Sequence, residues 1–281
     1  MNYGQKVLKY KERIVFEKLT IPYFDRIPKE FFEIEACFIF VNKGEFSVRS
    51  PTNYLDFEPG QGLLAKCLNY FFETNANQRQ VGEGVEVIGV LLYPSMVEEL
   101  FDFELSAYSY TVDFNLKQVQ IDALLNNFRD SVNLLLDHPE LADEAMIKTK
   151  LREFVLLISK SQGAPSHYDF LAAMFKPDFA AFRNVIQSNL FSSCSLDELA
   201  ALCHMSLSTF KRRFKEAFKE TPKKYIAEKK VHKAAEMLKS NNYRIAEIAY
   251  ECGFETLSSF NRTFKTSFGV SPSDYRVSLN A

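Results

Sequence analysis

Two sets of side chains suited to the same chemistry recur about fifty residues apart in this chain. The first is Ser208, Lys211, Arg212 and Lys215, and the second is Ser258, Asn261, Arg262 and Lys265. At 100° per residue, Lys211, Arg212 and Lys215 fall within about 60° of Ser208 on one helical face. The opposite side carries Leu207, Phe210, Phe214, Ala217 and Phe218, repeated as Leu257, Phe260, Phe264 and Phe268. A guanidinium presents a donor fork that fits guanine bidentately, whereas hydroxyls and amides reach other base edges. Ammonium groups meet phosphates, which fix register without reading sequence. A lone helix with exposed lysines would mean only a solvated face. Two helices with matching cationic offsets argue for a polyanion gripped twice.

The surrounding residues must hold both helices in the same way, and they repeat too. Leu199-Ala200…Cys203 recurs as Ile248-Ala249…Cys252 at an offset of 49, and Phe210…Phe214-Lys215…Phe218…Pro222…Tyr225 recurs at 50. The single extra residue falls between them, where a loop tolerates insertion. Each basic helix follows a short one, Leu196 to Leu202 or Ile245 to Tyr250. Ser195 and Glu198 have capping-box spacing ahead of the first. Gly253 supplies the sharp turn in the second copy, and His204 stands at its place in the first, so that turn needs a left-handed non-glycine residue. Short helix, tight turn and exposed basic helix make the helix-turn-helix pattern, whose second helix enters the major groove.

These residues also carry a family resemblance. Gly253-Phe254…Ser258-Ser259-Phe260-Asn261-Arg262-Thr263-Phe264-Lys265…Phe268-Gly269…Ser271-Pro272…Tyr275-Arg276 resembles the signature of the AraC/XylS family of bacterial transcription regulators, with the match spanning 179–279. The resemblance implies an all-α domain of two helix-turn-helix units joined by a central helix, here from Lys223 to about Lys239. Ile226, Ala234 and Leu238 would face inward. About 17 residues give about 25 Å, enough to set the units in successive major-groove turns. The implied ligand is double-stranded DNA, contacted in two adjacent segments. Ser208, Lys211, Arg212, Ser258, Asn261 and Arg262 are the candidate base contacts, and Arg213, Lys215 and Lys265 the candidate phosphate contacts. His204 is the one departure from a glycine-like turn. An activator working with RNA polymerase is the expectation from the family.

The net charge of −2 conceals an asymmetry. From Lys176 onward there are 17 Lys and Arg against 11 Asp and Glu, leaving 17 against 25 in the remainder. The basic end suits a polyanion and the acidic part does not. A chain of 281 residues holds two cores. No apolar run of about 20 residues is present to span a membrane, and the amino terminus lacks a signal-peptide core. The five cysteines have no CxxC spacing, which suits structural thiols in a reducing cytosol. A cytoplasmic, nucleoid-associated protein is expected.

Residues 12–95 alternate strand-like runs with turn formers. Arg13 to Leu19, Ile34 to Val41, Glu45 to Val48, Leu63 to Phe72 and Val85 to Leu92 are the expected strands. They predict a small barrel or double-sheet sandwich. Glu58-Pro59-Gly60-Gln61-Gly62 looks like the turn of cupin-type sensor domains in the same family. The fold class is therefore an α+β two-domain chain, with an amino-terminal β-barrel or cupin-like domain followed by two helices. The expected boundaries are a regulatory and dimerisation domain at 1–162, a linker at 163–177 and a DNA-binding domain at 178–281. The four histidines (His138, His167, His204, His232) lie outside the barrel, so neither metal nor cofactor is expected there. Glu33, Glu35 and Asp56 could be offered as an acid–base set, but no catalytic residue is expected.

After the strands, Ile121, Leu124, Leu125, Phe128, Val132, Leu135 and Leu136 form an apolar helical stripe, followed by Ile147, Leu151, Phe154, Val155 and Ile158. Both stripes suit packing on the sheets. The first is also nearly heptad-like, and a homodimer through Leu124, Phe128 and Leu135 is the family's implication. Two effectors compete. A small molecule inside the aromatic-rich barrel is one. A protein partner is the other, because Ile147-Lys148…Leu151-Arg152-Glu153-Phe154 is similar to regulators of type III secretion, which answer to an anti-activator protein. From other classes, a repair enzyme with a DNA-binding appendage would need clustered zinc-type cysteines, and Cys37 and Cys67 are thirty residues apart. An architectural DNA protein would have no use for base-facing polar residues.

Overall fold

Runs such as Ala36-Cys37-Phe38-Ile39-Phe40-Val41 are rich in β-branched and aromatic residues, which fit a pleated surface buried on both faces. The computed structural model of the chain describes residues 4–29, 35–66, 69–74, 84–176, 181–240 and 243–279. Glu33, Cys67 and Asp178 lie outside them. The chain divides into two compact units, Met1–Phe179 and Ala180–Ala281.

In the first unit, β1 (Gly4–Tyr10), β2 (Arg13–Ile21), β4 (Ala36–Lys43), β7 (Gln61–Ala65), β9 (Val85–Leu92) and β10 (Leu116–Gln120) form a six-stranded sheet in the order β1-β2-β9-β4-β7-β10. A second sheet has the order β3-β8-β5-β6, from Arg26–Pro28, Phe71–Glu73, Phe46–Arg49 and Tyr54–Phe57. Every pairing among the described residues is antiparallel. Among the described residues both sheets end on open edges, so the double-sheet alternative is realised rather than a closed barrel. The expected strand Leu63 to Phe72 is two strands, β7 and β8, one in each sheet.

Alternation along β4 explains how the layers stack. Phe38 and Phe40 point to one face, where they meet Phe128 and Phe154 with ring centroids 5.4 to 6.5 Å apart. Ile39 points to the other, where it joins Val85, Val87, Phe46 and Phe72 around a cavity of about 70 Å³ between the sheets. The helices begin with α1 (Pro94–Phe101), which starts on a proline and ends at Asp102 with φ of 52°. They continue with α2 (Ala123–Asp137) and α3 (Glu144–Ser161), capped by the side chains of Asp122 and Asp143. Full burial of each phenylalanine is worth about 1.5–3 kcal/mol. Their rings hold α2 and α3 against the six-stranded sheet. In the second sheet the Glu73 carboxylate accepts from Arg26 Nε at 2.8 Å and Arg49 Nε at 2.7 Å, tying β3, β5 and β8 together.

Within the expected linker at 163–177, residues His167–Met174 form helix α4, capped by Ser166. Phe170, Leu171 and Met174 are buried in the core of the first unit. The apolar content of this segment outweighs its Gly and Pro punctuation.

The regular elements described in the second unit are all helices: α5 (Phe182–Ser188), α6 (Leu196–Leu202), α7 (Leu207–Phe218), α8 (Pro222–Leu238), α9 (Ile245–Glu251), α10 (Leu257–Phe268) and α11 (Pro272–Leu279). It has two cores. Phe182, Ile186, Leu199, Ala200, Phe210 and Phe214 build the first. The second contains Val231, Ala234, Leu238, Ile248, Ala249, Cys252, Phe260 and Phe264. Helix α8 serves both, with Tyr225 and Ile226 against the first and Val231 to Leu238 in the second.

Candidate nucleic-acid interface

The interface begins with how α7 and α10 are started. Ser195 and Glu198 form the expected capping box on α6: Ser195 Oγ accepts from the Glu198 amide, and Glu198 Oε2 accepts from the Ser195 amide at 2.7 Å. The chain then turns through Cys203 into His204, whose φ is 55°. His204 N donates to Ala201 O and Met205 N to Ala200 O, each at 2.9 Å. The second copy makes the same pair of bonds from Gly253 to Tyr250 O at 2.8 Å and from Phe254 to Ala249 O at 3.0 Å, with Gly253 at φ 77°. These bonds satisfy the last carbonyls of each short helix and fix the turn. His204 adopts the left-handed conformation its place requires, at a cost of about 1–2 kcal/mol that glycine avoids. Ser206 then caps α7 and Thr256 caps α10.

Aromatic contacts repeat with nearly equal geometry. Phe210 and Phe214 lie 5.7 Å apart, and Phe260 and Phe264 lie 5.6 Å apart. Phe214 meets Tyr225 at 5.6 Å and 70°, matched by Phe264 and Tyr275 at 5.4 Å and 73°. With these rings buried, the opposite faces of α7 and α10 are forced outward. Ser208, Lys211, Arg212 and Lys215 are all exposed on α7, and Ser258, Asn261, Arg262 and Lys265 are all exposed on α10. No described carboxylate pairs with any of these five cations, whereas Lys224 and Lys239 are held by glutamates on or beside their own helix. Two rows of unneutralised donors are available to an anionic ligand. Arg213 is exposed but differently placed, with its guanidinium 5.2 Å from the Phe182 ring centroid. Burial pushes the Cys203 thiol up to about 12 and the Cys252 thiol to about 11, as befits packing groups rather than nucleophiles.

A helix-turn-helix domain family matches residues 199–278. The second unit carries an AraC-type helix-turn-helix domain. The ExsA N-terminal regulatory domain family matches residues 36–170, so the match to a helix-turn-helix domain follows the match to a regulatory domain in one chain. Among relatives, the virulence regulon transcriptional activator VirF of Yersinia enterocolitica is 30% identical over 145 residues, 49% of this chain and 52% of that one. The HTH-type transcriptional regulator ExsA of Pseudomonas aeruginosa is 24% identical over 143 residues, 51% and 50% respectively. A structure of ToxT from Vibrio cholerae is 14% identical, covers 95% of this chain and 100% of that one, and has a TM-score of 0.39. The chain spans about half the length of the curated relatives it matches.

The dimer candidates fare differently from the exposed polar faces of α7 and α10. Leu124 is 61% exposed, but Phe128 and Leu135 are 1% and 8% exposed and belong to the core of the first unit. Those two residues are consumed by the packing of α2 on the six-stranded sheet, which leaves Leu124 as the one exposed residue of the three. Of the acid–base set, Asp56 accepts from Ser47 Oγ at 2.5 Å, and Glu35 forms an ion pair with Lys29, Oε1 to Nζ 2.8 Å. Two lysines on α8, Lys230 and Lys233, turn inward and were missed among the sequence candidates. Their i, i+3 spacing beside the buried Val231 was the signal available.

Proposed function

We propose that the chain is a sequence-specific DNA-binding transcription activator. The observation that carries this reading is the pair of equivalent, unneutralised polar faces on α7 and α10. Each is presented by the same turn and the same aromatic core. Ser208, Lys211 and Arg212 occupy the first two turns of α7, the part of a reading helix that reaches base edges, and Ser258, Asn261 and Arg262 do so on α10. Lys215 and Lys265 sit in the last turns, where phosphates flank the groove. Arg213, drawn toward Phe182, also faces phosphate rather than bases. The activator assignment follows the described role of the VirF relatives, and activation implies contact with RNA polymerase.

The regulatory domain would act through self-association, with Leu124 at a homodimer contact, and in answer to an effector. The cavity between the sheets is lined by Leu19, Ile21, Phe24, Ile39, Phe46 and Phe72, with Glu17 and Lys29 as its polar groups. That lining favours a small, largely apolar effector over a protein one. Action on a bacterial chromosome places the protein in the cytoplasm, at the nucleoid. No helix among the described residues is long and apolar enough to cross a membrane. Genome-wide occupancy in the native host tests the reading. Discrete sites beside promoters, with transcription falling there when the gene is deleted, are expected; uniform occupancy without sequence preference would refute it.

A further inference from the structure

The two reading heads share α8, yet a helix alone leaves each head free to roll about it. A second connection closes that freedom. The loop after α5 brings Phe191 and Ser192, which belong to the first head, against the turn of the second head at Gly253. A β-carbon at Gly253 would stand 2.3 Å from the Phe191 carbonyl oxygen and 2.6 Å from that of Ser192. The backbones therefore touch where the second head has glycine. At the equivalent place in the first head stands His204, a residue with a side chain.

Between these backbones lies an ammonium. Lys230 Nζ donates to Ser192 O and to Gly253 O, each at 2.7 Å. One turn along α8, Lys233 Nζ donates to Glu251 O at 3.0 Å and stands 4.3 Å from the Phe191 ring centroid. Each lysine thus joins one group of the first head to one of the second. Hydrogen bonds from a charged donor are the strong ones, and Lys230 is half-buried, which strengthens them further. Burial draws its pKa down, as expected for an ammonium taken from water into a joint. A DNA-binding unit normally spends lysines on phosphates, and these two are turned inward.

We infer that Lys230, supported by Lys233, is a positioning residue that fixes the separation and orientation of the two reading helices, and so sets the spacing between the two DNA segments the protein accepts. The inference rests on the two-headed reading proposed above. With the heads locked, both segments are engaged without further ordering, and a one-base-pair change in spacing costs affinity. With the joint loosened, the heads adapt to other spacings but pay to become ordered.

The test uses the full chain, wild type and Lys230→Met, titrated against duplexes selected by the wild type. The two contacted segments are set at the natural spacing or moved by one base pair either way, and further duplexes retain one segment only. Wild type should lose about tenfold or more when the spacing changes. Lys230→Met should bind the natural spacing about tenfold more weakly. It should discriminate little among spacings, while matching wild type on single-segment DNA and in salt dependence. Lys233→Met should shift spacing preference in the same direction by less, and it stands in if Lys230→Met fails to fold. An unchanged spacing preference in the folded variants would overturn the inference alone. So would an equal loss on single-segment DNA with a shallower salt slope, which marks a phosphate contact. A wild type that binds one segment as well as two would overturn both the inference and the two-headed reading.

Discussion

Replacing Arg212 by alanine separates base reading from charge attraction. The guanidinium is exposed in the first half of α7 and has no described carboxylate partner, so its removal breaks no ion pair among the described residues. The cost falls on the complex with DNA. A bidentate contact to guanine is worth about 1–3 kcal/mol of discrimination, which is about 5- to 150-fold in Kd. Lys215→Ala, one turn nearer the end of the helix, removes a point charge. It should weaken binding by one factor on every duplex and flatten the salt dependence by about 0.9 in the logarithmic slope. Fluorescence anisotropy against cognate and scrambled duplexes, at several salt concentrations, measures both variants together. Arg212→Ala should lose affinity on the cognate duplex and little on the scrambled one. An equal loss on both, with the slope reduced, would refute base reading by Arg212 and move it among the phosphate contacts.

Other expectations follow from packing and charge. Phe264→Ala empties the middle of the second core and should cost about 3–5 kcal/mol; because Phe214 anchors a separate core, thermal denaturation should show the second head melting before the first. Leu124→Asp should leave the melting temperature unchanged and shift sedimentation toward monomer, whereas Phe128→Asp should unfold the first unit. Burial raises the Glu17 carboxyl above its ordinary value of 4.5, against the opposing pull of Lys29 and the Gln5 amide. The folded protein therefore holds that proton more tightly than the unfolded chain, so the contribution is full at acidic pH and is lost as pH rises through the raised value. Glu17→Gln should match wild type in acid and exceed its stability near neutral pH, measured by denaturant unfolding across that range.

The two helix-turn-helix units were legible in the sequence because their constraints are local and written twice. Helical period, Ser195 with Glu198, and the turn at Gly253 all act within a few residues. The first unit was legible only where strands are central. β4 and β9 are continuous apolar runs, but β1 and β10 lie at the edges and carry Lys and Gln, so their pairing is set by partners far along the chain. β10 pairs with β7 about fifty residues away, and that register is invisible to a local pattern. Phe128 and Leu135 show the same limit from the other side. A stripe that fits a second copy and a stripe that fits a sheet have one periodicity, and the sheet took those two residues. Helix α4 was hidden by Gly163 and Pro165, whose punctuation ends one helix and admits another. His204 was legible as an oddity, and its left-handed backbone follows from the turn it must make.

Guanine methylation interference on a selected duplex tests the central claim most directly. With wild type, the guanines whose methylation blocks binding should fall into two clusters, centred about one helical turn apart on one face of the duplex. Arg212→Ala should relieve interference within one cluster and Arg262→Ala within the other. A single cluster, or variants that weaken both clusters alike, would contradict a protein that reads DNA with two equivalent heads.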